Sequence, residues 1–251
     1  MLDDVPCVFE ISDDQQKLLL DKLRVTLEEA HSLEQSTRQQ SSSTRWQAAR
    51  RGRVTASRFG GVSLRRSLPT ESFIKSFFEV KDYASLPTQL SHGCHNEGKA
   101  RNIYAAQTGF TIQICGLVVN LSLPWLGASP DAVVIDPSES SVGLLEIKCP
   151  YTHRLSTVEE ATSDPKFFAE MHNGRVTLKH SYKHFYQVQG QMALAKVQWC
   201  DFMIYTFKNH TVERIQFDYE FWDTAQIKLT EFYFSYILPK ACDSVDSTDT
   251  M

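Results

Sequence analysis

Residues 143–149, GLLEIKC, constrain the fold more than any other stretch of the chain. Two leucines and an isoleucine in so short a run read as a buried strand. Strand side chains alternate between faces. Leu145, Ile147 and Cys149 therefore share one face, and Leu144, Glu146 and Lys148 share the other. A carboxylate and an ammonium thus stand side by side in an apolar strand. A structural ion pair is one explanation. Desolvation offsets most of the Coulomb gain of a buried pair, so the spacing also invites a functional reading.

The segments on either side place this strand in a mixed architecture. Residues 13–35 read as one amphipathic helix and 35–44 as a polar loop. Residues 45–59 predict a helix that breaks at Gly52, with a second short helix from about Thr55. A helix over 68–80 has Thr70 as its N-cap, and another over 88–108 ends at Gly109. Strands are predicted over 111–120, within 125–136 and over 143–149. Asn173-Gly174 predicts a hairpin. A helix over 182–196, strands over 200–208 and 211–218 and a helix over 220–240 complete the order. That order predicts an α/β (α+β) fold, with a central mixed sheet flanked by helices. The domain limits expected are a helical extension and linker (1–43), a main domain (44–240) and a disordered tail (241–251).

Asp131 lies fifteen residues before Glu146, after a turn-forming Ser-Pro. If 132–135 and 143–148 pair as neighbours, Asp131 comes to lie beside Glu146. Two carboxylates with a nearby lysine suit one or two hard divalent cations, Mg²⁺ or Mn²⁺. Such an ion polarises a phosphoryl oxygen and lowers the pKa of a bound water, which Lys148 can hold or deprotonate.

Charge is uneven along the chain. The net charge is −4, from 26 basic and 30 acidic residues. Yet Thr44–Arg66 carries seven arginines (45, 50, 51, 53, 58, 65 and 66) and no acid. A local basic patch on an acidic protein fits a localised phosphate contact, with a solvated helix face as the alternative. No apolar run approaches a membrane span of roughly 20 residues. The N-terminus lacks a basic-then-apolar leader, and six scattered cysteines fit an intracellular, reducing compartment. His92, Cys94 and His95 form an H-x-C-H run, but no second ligand pair stands at a finger-like spacing, and the cysteines give no support for an iron–sulfur cluster.

Four ordered pieces carry a resemblance. SPD (129–131) with LEIKCP (145–150) is a P-D…(D/E)-x-K signature. TRWQAARRGRVTASRF (44–59), HGCHNEGKAR (92–101) and HFYQVQGQM (184–192) fall around it in order. Together they resemble the lambda exonuclease family, in its YqaJ-like viral recombinase branch, within the PD-(D/E)XK nucleases. The resemblance implies a restriction-endonuclease-like core and a metal-dependent exonuclease, working 5′ to 3′ on free duplex DNA ends and leaving 3′ single strands for recombination. It implies Asp131, Glu146 and the Ile147 carbonyl as metal ligands, with Glu97 at a second metal or its waters. Lys148 would activate water, and Gln187 would support the site. Arg50 and Ser57 would hold the 5′-terminal phosphate, with Arg51 and Arg53 as further DNA contacts. A single-strand annealing protein and a ring-shaped homotrimer are implied partners. Local alternatives stay open: a Glu97–Arg101 surface pair, a solvated Lys183–Gln187–Gln191 stripe, and Arg51, Arg53 and Arg58 facing only solvent. The lambda enzyme has a tyrosine where this chain has His184, and its phosphate-pocket lysine has no match in SLPTQLSH (85–92). A structure-specific endonuclease and a catalytically inactive DNA-binding module are the alternative functions.

Overall fold

The computed structural model describes residues 13–79 and 87–246. Two helices open it, α1 Asp14–Leu23 and α2 Leu27–Ser36, where the sequence predicts one. The break has a local cause. The Thr26 hydroxyl accepts from the Glu29 amide and the Glu29 carboxylate accepts from the Thr26 amide, a capping box that starts a new helix. A 3-10 turn at Gln40–Ser42 interrupts the polar loop. Helix α3, Thr44–Arg50, begins at a Ser43 cap. Gly52, at φ 70°, turns the chain. A two-residue strand that the sequence did not reveal, β1 Val54–Thr55, then leads into α4 Ala56–Ser63. Helix α5, Glu71–Lys75, starts where Thr70 caps the Phe73 amide and is shorter than predicted; residue 80 lies outside the described residues. Helix α6, Thr88–Thr108, ends at Gly109 with φ 71°.

The next stretch carries four short strands where two were expected. Residues 111–120 divide into β2 Thr111–Gln113 and β3 Val118–Val119. Residues 125–136 divide into β4 Leu126–Ala128 and β5 Ala132–Asp136. Pro130 has no N–H for a ladder, so the chain leaves one sheet there and enters another. Gly116 passes so close to α2 that a Cβ on it would stand 1.9 Å from the Glu34 carbonyl oxygen. Strand β6, Ser141–Lys148, and the short helix α7, Val158–Ala161, follow. The predicted hairpin is present as β7 Ala169–His172 and β8 Arg175–Leu178, with Asn173 and Gly174 both at positive φ. Then come α8 Lys183–Ala195, β9 Trp199–Tyr205, β10 His210–Gln216 and α9 Tyr219–Phe232. A π-helical segment, Tyr233–Ile237, joins α9 to α10 Leu238–Asp246. Helix α10 runs into the stretch expected as a disordered tail (241–251) and buries Cys242. Residues 247–251 lie outside the described residues.

The main sheet has the order β10-β9-β6-β5-β2, with β6 and β9 parallel and the other neighbours antiparallel. A small sheet, β1-β4-β3, lies apart from it. Strand alternation holds in β6. Leu145 and Ile147 pack with Ala100 and Tyr104 of α6, and Leu144 packs with Val188 and Met192 of α8. The central sheet is thus sandwiched between α6 and α8, as the element order predicts.

Two features stiffen this frame. Helices α4 and α8 cross at glycines: a Cβ on Gly60 would stand 2.4 Å from the Lys183 Cα, and one on Gly190 2.2 Å from the Phe59 ring. At the other end of the sheet, Arg214 of β10 donates to both Asp201 oxygens at 2.8 and 3.0 Å, and the Tyr104 hydroxyl of α6 donates to the same carboxylate at 2.5 Å. The charge-assisted fork ties α6, β9 and β10 together.

Candidate active site

The site lies where β5 begins and β6 ends. The antiparallel register sets Ala132 against Leu145, which brings Asp131 beside Glu146. The Asp131 amide donates to the Leu145 carbonyl at 3.1 Å, and its side chain Oδ2 accepts from the Ile147 amide at 2.6 Å. Asp131 and Glu146 are both buried, at 8% and 2% exposure.

Glu146 is held from three directions. Lys148 Nζ donates to its Oε1. Gln187 Nε2 donates to Oε1 at 2.6 Å, and Gln191 Nε2 to Oε2 at 2.7 Å. The Gln187–Gln191 stripe of α8 is therefore buried against β6, and the solvated-stripe reading is corrected. Gln191 escaped the sequence reading as a site residue because its i, i+4 spacing from Gln187 fits an exposed face equally well.

Charge coupling joins Glu97 to this group. Burial, followed by the charges of Glu146 and Glu97, pushes the Asp131 carboxyl well above its usual range. Burial and then Glu146 also raise Glu97, while Lys148 and Arg101 pull it back. Burial works against the Lys148 ammonium, but Glu146, Asp131 and Glu97 together hold it above its ordinary value. Three acids thus face Lys148 and, at Glu97, Arg101, leaving negative charge in excess. Among the described residues, no three acidic, imidazole or thiol side chains converge as a ready-made metal cage, and this includes His92, Cys94 and His95. Both Glu146 oxygens and Asp131 Oδ2 are turned onto protein donors. Their chemistry fits a divalent ion all the same: hard oxygen ligands, buried, with uncompensated charge.

The basic segment builds a second feature. A cavity of about 470 Å³ is lined by Arg50, Arg51, Arg53, Ser57, Arg58 and Lys183, among others. Ser57 is exposed in the first turn of α4, and no side chain caps that helix; its N-cap residue, Thr55, instead accepts from Arg50 at 3.2 Å. An uncapped helix N-terminus beside arginines favours an anion. Arg50 also lies over Trp46, 3.8 Å from the ring centroid. Trp46 is buried. Arg53 departs from its expected role. It is 7% exposed, and its guanidinium donates to the carbonyls of Pro124, Ala49 and Leu23, so it clamps three chain segments. Arg51 donates to the Phe78 carbonyl at 3.1 Å and Arg58 to Ser76 at 2.7 Å.

The sequence profile of the YqaJ-like viral recombinase domain matches residues 45–198, which contain every candidate named above. The chain belongs to that family. No curated protein sequence matches it. The fold is similar to that of an alkaline exonuclease from Laribacter hongkongensis, with a TM-score of 0.61 and 24% identity over 82% of this chain and 98% of that one. It is also similar to the shutoff and exonuclease protein of Kaposi's sarcoma-associated herpesvirus (TM-score 0.57, 11% identity, 86% and 75% covered) and to a phage-related exonuclease from Haemophilus somnus (TM-score 0.50, 13% identity, 79% and 96% covered). These likenesses establish the fold. Within this YqaJ-like domain, the segment at 44–59 supplies most of the cavity's cations, and the segments at 92–101, 129–150 and 184–192 supply the acid cluster.

Proposed function

We propose that this YqaJ-like protein is a metal-dependent deoxyribonuclease acting on duplex ends: an exonuclease that hydrolyses phosphodiester bonds 5′ to 3′ and leaves 3′ single strands for recombination. The observation that carries the reading is the pairing of Asp131 with Glu146 across β5 and β6, with Lys148 on the same carboxylate. Asp131, Glu146 and the Ile147 carbonyl would hold Mg²⁺ or Mn²⁺, with Glu97 at a second ion or its waters. The ion would supply Lewis acidity at the phosphoryl oxygen and an acidified water. Lys148, part exposed beside Glu146, orients that water and offsets charge on the phosphate. Gln187 and Gln191 fix the Glu146 carboxylate. The α4 N-terminus, Ser57 and Arg50 receive the terminal phosphate of the strand, and a pocket for an end supports an exonuclease over an endonuclease.

The test is digestion of end-labelled linear duplex with Mg²⁺ or Mn²⁺, alongside a closed circle and a Glu146→Ala variant. Loss of the linear duplex alone, abolished by the substitution, is expected. Cutting of the circle would favour the endonuclease. An intact linear duplex with either ion would sink the enzyme reading. A fold neighbour, SOX, is solved in complexes with DNA and with RNA, so an RNA hairpin belongs in the same series.

A further inference from the structure

The cations around the 470 Å³ cavity are not equivalent. Each of the four arginines already donates to a protein oxygen: Arg50 to Thr55, Arg51 to Phe78, Arg53 to three carbonyls and Arg58 to Ser76. Lys183 enters from the opposite element, as the first residue of α8. Its side chain is exposed. Among the described residues, no carboxylate or carbonyl accepts from its ammonium, which lies 5.9 Å from the Tyr182 ring centroid. Its main chain is seated directly on Gly60 of α4, which fixes where the lysine stem begins. One helical turn further on, Gln187 grips Glu146. Between the two stands His184, whose imidazole is kept from protonating by burial first and then by Lys148 and Lys183.

We infer that Lys183 joins Arg50 and Ser57 at the terminal phosphate of the bound strand as the mobile cation there, and so is a specificity-determining residue for the ends this protein attacks. The inference rests on the nuclease reading above and names the residue that selects its substrate. An ammonium on a flexible stem is a mobile point charge, able to follow a phosphate into a cavity whose arginines are already fixed. Glu79, the acid that lines the same cavity, is exposed.

The experiment compares wild type, Lys183→Ala and Lys183→Arg on duplexes ending in 5′-phosphate or 5′-hydroxyl. Cleavage is followed with Mg²⁺, and binding of fluorescent duplexes in EDTA by anisotropy. Wild type should prefer the phosphorylated end in both assays. Lys183→Ala should shrink each preference by about tenfold, seen in KM rather than kcat, and Lys183→Arg should restore part of it. An unchanged phosphate preference in Lys183→Ala, or none in wild type, overturns the inference and leaves the nuclease reading standing. Phosphate-selective binding that Lys183→Ala loses, without cleavage by wild type, supports Lys183 and overturns the nuclease reading instead.

Discussion

The Asp131 carboxylate takes its hydrogen bond from the Ile147 amide, at 2.6 Å, between Glu146 and Lys148 in the chain. The turn before β5 is thereby pinned to the last residues of β6, and the acid cluster needs no loop closure to assemble. Burial and two neighbouring acids raise the Asp131 carboxyl. A raised acid lowers stability as pH climbs from its ordinary value to its folded one, and the deficit persists above that. Asp131→Asn keeps an acceptor for the amide and removes the charge. In EDTA at about pH 8 the variant should melt higher than wild type by about 2–5 °C, and the gap should close below about pH 4. Mg²⁺ should stabilise wild type alone, as calorimetry would show.

Lys148 contacts Glu146 and is part exposed. Lys148→Met should reduce cleavage of an end-labelled duplex by about 10²-fold or more, the usual range for loss of an acid–base group, while circular dichroism stays that of the folded protein. Retained cleavage would place the water-handling group elsewhere.

Gln191 donates to Glu146 from a fully buried position. Gln191→Leu leaves a buried carboxylate oxygen without that donor. A loss of about 1–3 kcal/mol in urea unfolding is expected, together with reduced cleavage. An active, equally stable variant would show that Gln187 and Lys148 suffice.

Arg53 lines the cavity, but its hydrogen bonds go to main-chain carbonyls. Arg53→Met should cost about 2–4 kcal/mol of stability and leave the ratio of rates on 5′-phosphate and 5′-hydroxyl ends near that of wild type. A collapsed ratio would return Arg53 to the phosphate.

The acid cluster was legible because strand alternation and a short spacing place Asp131, Glu146 and Lys148 with few alternatives. The architecture was legible for the same reason, through caps such as Thr70 and Gly109 and the Asn173-Gly174 turn. Three features were hidden. Val54 and Thr55 pair with β4, 72 residues away in the register Val54–Leu126, and nothing local marks so short a strand. The split at Ser129-Pro130-Asp131 depends on two sheets competing for adjacent segments. Arg53 and Arg58 look like surface cations until the carbonyls they serve are in place. Lys183 was seen only as part of a polar stripe, because its value comes from Gly60, more than a hundred residues earlier.

On the proposed nuclease reading, the contact of α4 with α8 through Gly60 and Gly190 bears on how a strand would be processed. One helix borders the cavity proposed for an end, and the other grips the carboxylate where the bond would break. Joined without side-chain padding at two points, they form a gauge block rather than a hinge. The interval from a seated terminus to the severed linkage would then be a fixed length built into the protein, and each cycle would remove the same increment of polymer whatever its base sequence.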